Sequence, residues 1–159
     1  MFCLVENIKH VVGLAPQADG SLTSQVVSLK NVNRAWIKAI MNQNAADQCT
    51  LTLRQATDIA AGTNKAISNN VPIWYNNDAA AADALTKGTD AKTYQFSATQ
   101  PKLKIVWFQI DPALALDVAN DYDCIYVTSG GSSGSNLLAL DFYLDMKYRE
   151  DVLPSVITD

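Results

Sequence analysis

Gly130-Gly131-Ser132-Ser133-Gly134 matches G-x-S-x-G, the pattern that in hydrolases holds a nucleophilic serine on a strained turn between a strand and a helix. Such a serine needs a histidine to take its proton and a carboxylate to orient that histidine. The chain has one histidine, His10, and it precedes Ser132, whereas the hydrolase order is serine, acid, histidine. The hydrolase fold also needs a parallel sheet with crossover helices, and the chain lacks the helical segments to build one. Residues 129–135 contain only Ser and Gly, a composition that makes a loop for ordinary reasons. Ser132 is therefore read as a loop residue.

Metal-ligating residues are equally sparse. His10 with Cys3 supplies two ligands at most, and no C-x-x-C exists among Cys3, Cys49 and Cys124, so the usual zinc arrangements are not met. The cysteines read as free buried thiols. The sharper alternatives are a Cys49–Cys124 bridge between neighbouring strands, or a bridge to another subunit through Cys3. Asp111, Asp117, Asp121 and Asp123 are dense enough to suggest calcium, but the EF-hand spacing is missing, and aspartates that form turns between strands explain them as well. Any two carboxylates could serve a glycosidase, and nothing singles out a pair. No phosphate loop, dinucleotide fingerprint or H-E-x-x-H is present. No catalytic, cofactor-binding or metal-ligating residue is assigned, and the chain is not expected to be an enzyme. Aromatics carry more promise. Trp36, Trp74, Tyr75, Trp107 and Phe108 fall on expected strands. Most belong in a core; those on outer faces could form subunit interfaces or a sugar-binding platform.

The elements that would position these residues are strands. From Asn136 to Arg149, Leu138, Leu140, Phe142, Leu144, Met146 and Tyr148 alternate with smaller or charged residues. Period-two alternation lines one face of a strand. As a helix, the same stretch would be apolar all round, with Ser135 as its cap. Gln48 to Gln55 alternates cleanly, with Cys49, Leu51 and Leu53 inward. Between Arg34 and Met41, Ala35, Ile37, Ala39 and Met41 share a face. Further strands are expected at 25–30, 71–75, 92–97, 102–110 and 122–128. Asp78 to Leu85, with its five alanines and Asp78 as cap, is the helix candidate. Residues 56–70 read as a connection and 113–121 as a turn-rich piece.

The totals agree with one folded body. The 159 residues are 48% hydrophobic and 18% charged, with a net charge of −4, enough for a core and unsuited to binding nucleic acid or an anionic membrane. The N-terminus lacks a basic region and an unbroken apolar run, so neither a signal peptide nor a bilayer span is expected. The expectation is a mainly β, single-domain β-sandwich of jelly-roll type, with one or two short helices and extended termini. Its divisions would be an N-terminal arm over 1–23, the sandwich over 24–149 and a tail over 150–159.

VVSLKNVNRAWIKAIMNQ, CTLTLRQATD, VPIWYNND, VWFQIDPALALD and YDCIYVTSGGSSGSNLLALDFYLDMKYR resemble segments of small virion proteins from tailed bacteriophages and prophages. The likeness lies in their order and texture and includes no catalytic motif. It implies a structural role on the particle, most plausibly as a decoration or cement protein on the outside of the head, made in the host cytoplasm. The implied partners are the major capsid protein and further copies of the chain, a trimer among the options, with no nucleic acid, membrane or cofactor. The alternatives are a head–tail connector, tail or baseplate component, or a carbohydrate-binding jelly-roll module for host attachment.

Overall fold

The computed structural model describes residues 4–99, 102–148 and 152–158. Its order is α1 (Leu4–Asn7), β1 (Ile8–Ala18), β2 (Val27–Ser28), β3 (Val32–Asn42), β4 (Cys49–Ala56), β5 (Asn64–Ala66), β6 (Ile73–Asn76), β7 (Thr86–Lys87), β8 (Thr93–Phe96), β9 (Leu103–Ile110), α2 (Pro112–Ala115), β10 (Cys124–Ser129) and β11 (Leu137–Met146), with a 3-10 turn at Val118–Asn120. Two antiparallel sheets form, one in the order β1-β11-β3-β9-β6-β7 and the other β2-β10-β4-β5, with β8 also paired to β4.

The pairing is nested. β1 joins β11, β2 joins β10, β3 joins β9, and β4 joins β8. A long antiparallel ribbon of four strand pairs has been rolled up, so that β3 also meets β11 and β4 meets β10. That is the jelly-roll solution for two packed antiparallel sheets. The strands β5, β6 and β7 are additions between β4 and β8. β5 covers the second half of β4, and β6 with β7 widens the first sheet beyond β9.

Inward residues come from alternation on both sheets. Ala35, Ile37, Ala39 and Met41 of β3 face Leu51 and Leu53 of β4 in one fully buried cluster. β11 buries Leu138, Leu140, Phe142, Leu144 and Met146, and Tyr148 lies beyond its end and is exposed. The strand reading of this stretch holds, and the helix alternative with its Ser135 cap does not. A smaller cluster of Val26, Ala56, Cys124 and Tyr126 lies on the other side of the second sheet under Ile59 and Ala61.

One local expectation is corrected. Residues 78–85 are not a helix; the chain turns at 79–81 and then runs on without regular structure. Asp78 pairs with Lys102 instead of capping, and Asn76 Nδ2 holds the carbonyl of Ala82. Five alanines without an apolar face to bury cannot offset the cost of helix nucleation. The short helices occur elsewhere, with Asp111 accepting from Ala113 N at the start of α2. Within the stretch expected to be an N-terminal arm, β1 runs to Ala18 beside β11. Residues 8–18 thus form an edge strand, where Pro16 is tolerated. Lys104 points into the interior beside Met41, in line with Val106, Phe108 and Ile110, and is nearly inaccessible.

Candidate functional site

Ser132 is tied into a buried polar network. Its hydroxyl donates to Asp19 Oδ2 at 2.6 Å and accepts from Asn136 Nδ2 at 3.0 Å. The other Asp19 oxygen lies 3.0 Å from Ser129 Oγ, and Leu22 N donates to that same hydroxyl at 3.1 Å. Asn136 is fully buried, and its Oδ1 accepts from Asn44 N and Ala45 N, each at 2.8 Å. Three loops that meet at one end of the roll are pinned here: 19–22, 43–47 and 129–136. Cys49 lies beside Asp19, and burial, followed by the hydrogen bond and charge of Asp19, pushes its thiol well above the ordinary range. His10 is elsewhere, bound through Nε2 to Asp141 Oδ1 at 3.0 Å and stacked on Tyr143. The G-x-S-x-G stretch thus sits in the loop that crosses from β10 of one sheet to β11 of the other, and its serine is occupied in cross-linking loops.

The remaining titratable residues divide among local tasks. Asp111 caps α2. Asp117 binds Lys65 and Asn120, and those bonds hold its carboxyl below the usual carboxylate range. Asp121 closes the 3-10 turn in the left-handed conformation, with φ 62°. Asp123 pairs with Lys30 and accepts from Cys124 Sγ. Among the described residues, no three His, Cys, Asp or Glu side chains converge as a metal site. Cys49 and Cys124 are free and buried. Cys124 is opposite Ala56, at the other end of β4 from Cys49 and roughly 23 Å along the strand, which rules out a bridge between them. Cys3 lies outside the described residues.

The outer face of the first sheet is the distinctive surface. Alternation that sends Ala35, Ile37 and Ala39 inward sends Trp36 and Lys38 outward. Trp74 and Trp107 are direct partners across β6 and β9. Trp36 is opposite Gln109 on one side and Tyr143 on the other. Trp36, Trp74, Gln109 and Leu85 surround Trp107 in an open cleft of about 260 Å³. Tyr143 leans on Trp107 with ring centroids 5.6 Å apart, and His10 stacks on Tyr143 at 5.1 Å. Lys38 Nζ lies 5.6 Å from the Trp107 ring and Lys87 Nζ 5.8 Å from the Trp74 ring. Burial, then the charge of Asp141, raises the Tyr143 hydroxyl above its ordinary pKa.

Of the aromatic residues singled out from the sequence, the three tryptophans share this face. Phe108 is core, and Tyr75 packs against Tyr94. Sequence reasoning misses Tyr143 and His10 as members of the face. The outward half of the β11 alternation is enough to place Tyr143, whereas His10 has no comparable signal.

No family model matches the chain, and no curated protein matches it in sequence. Among solved structures, it is similar to YomS, a protein derived from the SPBc2 prophage, at 6% identity and a TM-score of 0.48 over 87% of this chain and 93% of that one. It is also similar to the N-terminal cellulose-binding domain of Cellulomonas fimi β-1,4-glucanase C, at 12% identity and a TM-score of 0.29 over 92% and 81% of the two chains. A chain of infectious bursal disease virus, Gt strain, follows at 11% identity and a TM-score of 0.25, covering 87% of this chain and 36% of that one. At these values the likenesses assign no function, which must be argued from the chain's own residues.

Proposed function

We propose that the chain is a structural protein of a tailed-phage virion, a decoration or cement protein that binds the outer surface of the head and stabilises it. One observation carries the reading. The segments that resemble tailed-phage virion proteins, 26–43, 49–58, 71–78, 106–117 and 122–149, contain β2, β3, β4, β6, β10 and β11 and most of β9. The resemblance therefore takes in six of the eight strands of the nested pairs, with β1 and β8 outside it.

In this role the chain acts through surfaces, without catalysis. The rolled sandwich is the rigid body. Its tail packs on the roll: Lys9 Nζ of β1 donates to Leu153 O at 2.9 Å, and Ser28 N of β2 donates to Val156 O at 2.8 Å. Such a body leaves its surfaces for contacts with the major capsid protein and with neighbouring copies, and a trimer suits local three-fold positions of a shell. Each contact can be weak, because repeated copies that also touch one another attach multivalently. Preference for the assembled lattice over free subunits would stabilise the shell by mass action.

Quantitative mass spectrometry of purified particles tests the reading. Hundreds of copies per particle are expected of a shell protein. A count of about six or twelve would move the chain to a neck, tail or baseplate ring. Absence from the particle would overturn the virion role.

A further inference from the structure

We propose that the outer face of the six-stranded sheet, at the cleft between Trp36, Trp74 and Trp107, is a saccharide-binding site. This inference is independent of the virion reading, since it concerns what the free chain binds.

The first support is the form of the cleft. Three half-buried indoles, the exposed side chain of Leu85 and Gln109 line it together. An amide offers two donors and an acceptor from one side chain. A pyranose presents apolar C–H faces and a rim of hydroxyls that both donate and accept. Indole walls around an amide match that mixture, because Trp combines a large apolar surface with tolerance of a wet edge. The volume, about 260 Å³ and open to solvent, lies below the range of enclosed pockets for drug-sized ligands. It suits a ligand that is held on one side.

Charge and spacing provide the second support. The outward residues of β3 run Arg34, Trp36, Lys38 and Ile40, so on this strand the Trp36 ring is bordered by charge on both sides. The centre of a protein interface is depleted in such charges. Asp141 and Asp145 share the outward face of β11, and with a net charge of −4 they disfavour a nucleic-acid backbone. Lys38 and Lys87 remain within reach of the Trp107 and Trp74 rings, placed to donate to sugar hydroxyls beside them.

The third support is preorganisation. Trp107 is braced by Tyr143, which is braced in turn by His10 held on Asp141. Rings fixed before binding lose little side-chain freedom when a ligand settles on them. The row from Trp74 through Trp107 and Tyr143 to His10 crosses β6, β9, β3, β11 and β1, a span of roughly 19 Å at the usual strand spacing. An oligosaccharide of several units would run across the strands along it.

The test titrates the full chain with cellohexaose, maltohexaose and chitohexaose while following tryptophan emission. At least one should change the emission saturably. Trp107→Ala should then weaken the association about ten-fold, the equivalent of one well-formed aromatic contact, in protein that circular dichroism shows to be folded. Gln109→Ala removes the amide and leaves all three indoles, so it supplies the same comparison if Trp107→Ala fails to fold. No response to any of the three sugars, or binding that is undiminished in the variants, would overturn the proposal.

Discussion

Replacing Asn136 by Ala should lower stability more than any other single change in the 129–136 loop. The wild-type side chain is fully buried. It makes three hydrogen bonds, accepting from Asn44 N and Ala45 N and donating to Ser132 Oγ. Each is worth about 0.5–1.5 kcal/mol net, and donors left without partners add to the loss where water cannot reach them. Asn44 is exposed and Ala45 half-buried, so water recovers part of that penalty and the sum is about 3 kcal/mol. For a domain of this size the melting temperature falls about 2–4 °C per kcal/mol, which predicts a drop of about 6–12 °C by calorimetry or circular dichroism. Ser132→Ala removes only the bonds to Asp19 and Asn136 and should cost about 1–3 kcal/mol. Ser133→Ala is the control: its exposed hydroxyl accepts one long bond from Ser135 N at 3.3 Å, so it should stay within about 0.5 kcal/mol of wild type. An Asn136→Ala melt within about 2 °C of wild type, or a Ser133→Ala loss of equal size, would refute the network. A hydrolytic activity abolished by Ser132→Ala with the melting temperature unchanged would show that the hydroxyl does chemistry.

Two further perturbations probe the roll itself. A Cβ at Gly13 would lie 2.5 Å from Leu140 Cδ2 and 2.5 Å from Phe142 Cε2, so Gly13→Val must push apart β1 and the inward residues of β11, and denaturant unfolding should show a loss of about 1–3 kcal/mol; unchanged stability would mean that β1 is not packed there. Burial, then the hydrogen bond and charge of Asp123, raises the Cys124 thiol from 9.0 to about 12. The unfolded chain therefore releases this proton first, and the stability it contributes is complete below pH 9 and is lost as pH rises towards about 12. Unfolding midpoints across that window should fall less steeply in Cys124→Ala, and identical slopes would contradict the buried thiol.

Strands whose alternation carries large apolar residues are legible from the amino-acid sequence. β3, β4 and β11 follow their inward residues one by one, because a buried face fixes register strongly. β1 is hard to read as part of a sheet because only Val11 and Gly13 are buried in its middle, and a glycine gives no apolar signal. Lys104 misleads in another way. Its row holds Val106, Phe108 and Ile110, which decide the inward face of β9, while its ammonium group reaches the carbonyls of Ser97 at 2.6 Å and Thr99 at 3.4 Å. The alanine-rich stretch at 79–82 shows that propensity without a face to bury does not make a helix. The polar network is invisible in the sequence because Asp19 and Ser132 are 113 positions apart, and no local pattern joins them. The aromatic face is half legible: the tryptophans stand out, but only the strand order β6-β9-β3-β11 brings them beside Tyr143.

Membership of the outer shell is tested most directly by a particle reconstruction in which the chain can be traced. Density for the paired strands β1–β11, β2–β10, β3–β9 and β4–β8 is expected on the outside of the head, repeated with the shell's symmetry. Density for the same roll in the neck, tail or baseplate, or its absence from the particle, would contradict a place on the shell.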